Sequence, residues 1–219
     1  MASAKRLNPQ TIELGFDALY LITVFGAGLY LLLFSAGTLA KLWGGMALML
    51  AGGDTFHLAP RMCAIASQNE ERYAPRMNTG KMVTSITMTL FYLALWFLGL
   101  QMLSLSLVPY SILIVLLAVV RVFLCLFPRA QWAGPSSMPR MRVYRNIPFV
   151  CIGAMVTLLY ALHQNSLPPS LRWLWLAVLL SFAFYMPVAL LSHKYPKLGM
   201  LMLPKSCVYV WMVLMGFGL

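Results

Sequence analysis

Long apolar stretches separated by short polar gaps set the pattern of this chain. Seven runs, at 13–34, 37–59, 82–105, 108–127, 147–164, 170–191 and 198–218, reach or approach the roughly 20 residues that a helix needs to cross a bilayer. None alternates with a period of two, and a helix satisfies its own backbone in hydrocarbon, so the runs predict helices rather than strands. The predicted fold class is all-α: a polytopic integral membrane protein of about seven transmembrane helices, forming a single bundle domain over 1–219. The longest connectors, 60–81 and 128–146, read as Pro/Arg-rich loops, and no soluble domain is expected.

Composition supports that pattern. The 219 residues are 61% hydrophobic and only 10% charged, against about 25% charged in ordinary soluble domains. A mean hydropathy of +0.81 agrees. The 16 Lys and Arg outweigh the 5 Asp and Glu, a balance that on a soluble domain would suggest nucleic acid. Here the basic residues fall in gaps between apolar runs, which argues for membrane lipids and against a nucleic-acid partner. The four cysteines show no CxxC or metal spacing, and Cys125, Cys151 and Cys207 lie within apolar runs as small hydrophobes. "MASAKRLNPQTIELGFDALY" is basic, but Glu13 and Asp17 interrupt the approach to an apolar run long enough to span. It reads as a retained first helix rather than a signal peptide.

Charge also predicts sidedness. Lys5 and Arg6, then Arg61, Arg72, Arg76 and Lys81, then Arg129, Arg140, Arg142 and Arg145, then Lys194 and Lys197 fall at one end of the alternating runs. "FSAG", "LSLVPY" and "HQNSLPPS" fall at the other, with only Lys41 and Arg172 near them. The positive-inside rule puts the N-terminus in the cytoplasm and the C-terminus outside, with the bacterial cytoplasmic membrane as the expected location.

That orientation converts sequence position into depth. Asp54 comes out about 9 Å from the cytoplasmic end of the second run, and Lys205 roughly 10 Å into the seventh, at 1.5 Å per residue. Asp17, Arg121 and the hydroxyls of Thr84 and Thr87 in "TSITMT" fall at similar depth, so five helices place polar groups in one layer. Intramembrane ionisable groups face a partner, the bundle interior or water. The layer therefore predicts a cytoplasm-facing polar pocket. In it Arg61, Arg121, Lys205, Asp17 and the two threonines would bind an amphiphilic or anionic ligand, and Asp54 and His57 would move protons. The competing reading of the same residues is a structural ion-pair network between helices, with Asp54 and Lys205 as its central pair. For Arg61 the headgroup level also suggests snorkelling to lipid phosphate, and for Gly52 and Gly53, close helix packing. No metal or cofactor is expected: a zinc hydrolase needs about three converging ligands, and His163 lies at the opposite end of the bundle from His57 and His193.

The stretch "GDTFHLAPR" resembles the Gly-Asp motif, "GDxxxLxPR", of the lysoplasmalogenase-like (YhhN) family, through Gly53, Asp54, Leu58, Pro60 and Arg61. The likeness covers about a tenth of the chain. It implies a multi-helix membrane protein that hydrolyses the vinyl-ether bond of lysoplasmalogen, with Asp54 a site residue. The family's His-containing pattern on the next helix is replaced here by "TSITMTLFY", and no Asp or Glu follows Glu71. A two-acid hydration would therefore recruit Asp17 or use His57. The expected function is binding, and hydrolysis, of an amphiphilic lipid. The alternatives are a small-solute or anion transporter or channel, and after it a seven-helix retinal or sensory protein built on Lys205.

Overall fold

The computed structural model describes residues 9–127, 132, 139–192 and 194–219. Lys5, Arg6, Arg129 and His193 lie outside the described residues. Among the described residues seven α-helices follow one another: α1 (Pro9–Phe34), α2 (Thr38–Ser67), α3 (Glu70–Met102), α4 (Val108–Leu126), α5 (Pro139–Leu162), α6 (Leu174–Leu191) and α7 (Met202–Met215). Short 3₁₀ turns, Pro169–Leu171, Pro196–Leu201 and Gly216–Gly218, extend α6 and α7, and no strand occurs among the described residues.

Among the described residues, six helices are long and apolar enough to cross a membrane, namely α1, α3, α4, α5, and α6 and α7 with their 3₁₀ extensions. The chain is thus a multi-pass, membrane-type helical protein. The exception is α2, whose apolar run is diluted by Lys41, Asp54, His57 and Arg61. Each helix packs against its neighbours in sequence, and α1 packs on α7 to close the ring, with α3 also touching α5.

The connector at 60–81 is not a loop. α2 continues through Pro60 to Ser67, and α3 starts at Glu70 and runs through Pro75. Two caps make so tight a reversal possible. Gln68 adopts the left-handed conformation, φ 52°, and its N–H and that of Asn69 donate back to Ile65 and Ala64. The Asn69 side chain then accepts from the Arg72 N–H at 3.1 Å, starting α3. Pro60 removes the donor that would meet the Phe56 carbonyl, and Gly80 of α3 lies so close to that carbonyl that a methyl group there would collide with it. Hydropathy located the apolar cores of α2 and α3 but not their polar ends, because Arg, Glu and Met are good helix formers wherever they sit. The same holds for 139–146, the first two turns of α5.

α4 shows how the bundle meets its surroundings. Only Ile114, Ala118, Arg121 and Cys125 are buried, one stripe at helical spacing, while Leu113, Leu116, Val120 and Phe123 point outward. An exposed surface of that kind is stable only against lipid, and the one arginine faces the protein.

A buried polar layer as the candidate functional site

The acid, imidazole and guanidinium on the last turns of α2 find different partners. Asp54, 8% exposed, accepts a 2.6 Å hydrogen bond from the Tyr20 hydroxyl of α1. Arg61 forms an ion pair with Glu13 of α1, the one ion pair among the described residues. His57 points to α3 instead, against the backbone of Met77 and within the field of Lys81. Its Nδ1 has no hydrogen-bond partner. Asp54 therefore does not orient His57: one turn apart on a helix, the two side chains diverge to different neighbours. Nor is Arg61 free to hold lipid phosphate alone, since Glu13 already engages it.

The contacts of α1 and α2 obey one antiparallel register. Glu13 meets Arg61, and Tyr20 meets Asp54, seven residues on in one helix and seven back in the other. Asp17 lies between them on the same face of α1, buried, with Oδ2 lacking any hydrogen-bond partner. The fields of both Glu13 and Asp54 reach it.

The threonines serve packing. Thr84 Oγ1 donates to the Gly53 carbonyl at 2.9 Å, and Thr87 Oγ1 donates to the Thr84 carbonyl at 3.1 Å. Thr87 occupies the space that a Gly53 side chain would need. Gly53 therefore does allow close approach of α2 and α3, whereas Gly52 faces open space. With their protons committed to carbonyls, Thr84 and Thr87 can offer a ligand only lone pairs.

Lys205 and Arg121 form the cationic side of the layer. Lys205, 8% exposed, makes no direct ion pair with Asp54, although their charges act on each other. Its ammonium instead lies 4.9 Å from the Tyr185 ring centre and 5.0 Å from that of Tyr209. Arg121 is 1% exposed. Its guanidinium stacks 3.4 Å over Phe149, and Nε and Nη1 have no acceptor. Arg145 of α5 lies nearby, 3.7 Å over Trp132, and its field reaches that of Arg121.

A row of hydroxyls runs from this cationic side into the core. Ser181 Oγ donates to the Val178 carbonyl at 2.7 Å. A hydroxyl has one proton, so Tyr92 must donate to Ser181 at 2.7 Å and accept from Tyr209 at 3.3 Å. Tyr185, beside the Pro187 of α6, donates to Asn146 Oδ1 at 2.9 Å. Tyr20, Tyr92, Tyr209, Ser181 and Asn146 were not singled out in the sequence, where a tyrosine in an apolar run is indistinguishable from a core aromatic. The one available signal is spacing: Tyr209 stands one turn after Lys205, and Tyr20 falls at i+7 from Glu13.

Asp17, Asp54, Arg121 and Lys205 are packed inside the bundle. Two surface cavities lie elsewhere. One, of about 510 Å³, sits between α3 and α4 near Leu105 and Ser111. The other, of about 500 Å³, sits between α2 and α3 near Pro60 and Pro75. Among the described residues, no group of three or more His, Cys, Asp or Glu side chains is placed to hold a metal ion. Comparison with protein-family models, with curated proteins and with solved structures finds no match to this chain.

Proposed function

We propose that this chain is a seven-span protein of the bacterial cytoplasmic membrane, N-terminus inside and C-terminus outside, that binds an amphiphilic lipid in its polar interior. α2 supports the seventh crossing: it runs antiparallel between α1 and α3, both apolar enough to span, and also touches α7. Gly37, Ser170, Gly218 and Leu219 meet at one end of the bundle, the end poor in basic residues.

The observation that carries lipid binding is Arg121. A guanidinium buried to 1% exposure with two nitrogens lacking acceptors leaves donors unsatisfied in a water-poor interior, at a cost of several kcal/mol in a membrane. A phosphate or carboxylate satisfies such a fork directly. The lipid's anionic group would sit at Arg121 and Lys205. Hydrolysis, implied by the lysoplasmalogenase-like resemblance, would fall to Asp54 as proton donor with Asp17 as second carboxyl, and His57 is too differently directed to share that role.

The test is native mass spectrometry of the purified protein beside Arg121→Gln and Lys205→Met. A lipid retained by wild type and lost in Arg121→Gln supports the reading. Equal lipid content in all three, with lowered thermal stability in the variants, would reduce the layer to a structural network. Turnover of a vinyl-ether lysophospholipid by wild type and not by Asp54→Asn would then establish the reaction.

A further inference from the structure

The α2–α3 hairpin holds a second site, independent of the interior one. Its register is readable from three contacts: Gly53 with Thr84, Phe56 with Gly80, and Pro60 level with Pro75 and Arg76. All centre on the reversal at Gln68. The two helices have 30 and 33 residues, about 45 and 50 Å at 1.5 Å per residue, while the hydrocarbon core is about 30 Å thick. The excess of about 15–20 Å belongs to the hairpin end, because the opposite ends carry the short outer connectors. Pro60 lies eight residues from Gln68, about 12 Å along the helix. Pro60 thus lies about 3–8 Å beyond the edge of the hydrocarbon, at the depth of the phosphates.

A groove lies between the helices at that level. Above it Gly53 and Gly80 hold them in contact. Near the prolines the groove has a volume of about 500 Å³ and is walled by Phe56, Ala59 and Pro60 on one side and Pro75, Arg76 and Thr79 on the other. The walls are apolar apart from Arg76 and two threonines, and both threonines already donate to their own helix, Thr55 to Ala51 and Thr79 to Pro75. Arg76 is exposed and forms no ion pair among the described residues, and Arg72 stands one turn nearer the tip on the same face of α3. The groove therefore offers an apolar channel toward the bilayer and a cationic mouth at phosphate depth.

We propose that this groove binds one anionic phospholipid, its phosphate at Arg76 with Arg72 beside it and an acyl chain against Phe56, Ala59 and Pro60. The placement rests on α2 and α3 both crossing the bilayer, and not on the interior ligand at Arg121. Delipidated protein is offered equal amounts of phosphatidylglycerol and phosphatidylcholine, and the retained lipids are counted by native mass spectrometry. Both lipids carry the phosphate, but phosphatidylcholine adds a choline cation that Arg76 and Arg72 repel, so wild type is expected to favour phosphatidylglycerol by about tenfold. Arg76→Gln should bring that ratio close to one, and Thr79→Trp, which fills the groove, should remove the bound lipid. Both positions are exposed, so thermal stability should stay at the wild-type value. Arg121→Gln should leave this lipid in place, which separates the site from the interior one. Equal retention of the two lipids by wild type, or retention unchanged in both Arg76→Gln and Thr79→Trp, overturns the proposal. So does a groove that takes up only detergent.

Discussion

At the scale of single residues, the decisive contacts are those that cross between helices. Asp54 is held by Tyr20 rather than by its helical neighbour His57, and this has a measurable consequence. A double-mutant cycle of Tyr20→Phe with Asp54→Leu should show a coupling of about 0.5–3 kcal/mol in thermal or denaturant unfolding. The same cycle with His57→Gln in place of Tyr20→Phe should show none. Tyr20→Phe alone should destabilise by about 1–3 kcal/mol, since it leaves a buried carboxylate oxygen without its donor. Additivity of Tyr20 and Asp54 would mean that the 2.6 Å hydrogen bond contributes nothing to α1–α2 docking.

Helix pairing is governed by where small residues sit and by how the chain reverses. Gly53 faces Thr87, Gly80 faces the Phe56 backbone, and Gly52 faces open space, although Gly52 and Gly53 are adjacent and look alike in sequence. Gly80→Val should cost about 1–3 kcal/mol through overpacking. Gly52→Ala should be neutral to within about 0.5 kcal/mol. Unfolding midpoints of the two variants in one detergent decide the matter, and similar values would refute this assignment. The positions of the helices were readable from apolar runs, most closely for α4, expected at 108–127 and found at Val108–Leu126. The polar ends of α2, α3 and α5 were not, because Pro and Arg mark a loop in water but are tolerated in a helix whose neighbours or caps satisfy the freed groups.

For the whole molecule, the question is whether α2 crosses. Ala36 and Gln68 flank it, and both are exposed. With the native cysteines removed, Ala36→Cys and Gln68→Cys should react with a membrane-impermeant thiol reagent from opposite sides, Gln68→Cys from the cytoplasm. Labelling of both from one side would leave six crossings. The ring closed by α1 on α7 then explains why five helices can contribute to one polar layer: each turns a narrow stripe inward, as α4 does with Arg121.

The amino-acid sequence by itself determined the class of the molecule, since hydropathy and charge act residue by residue and need no partner to be read. It also located the expensive groups, Asp17, Asp54, Arg121 and Lys205, because an ionisable residue in an apolar run stands out without any coordinates. Only the tertiary structure decided what those groups meet. Rotation of each helix about its axis is set by packing against its neighbours, and a lipid-facing chain carries little amphipathic signal to reveal it. Hence Asp54 turned out to face a tyrosine, Arg61 a glutamate, and Lys205 two aromatic rings. Arg121 was left with no acceptor for two of its nitrogens.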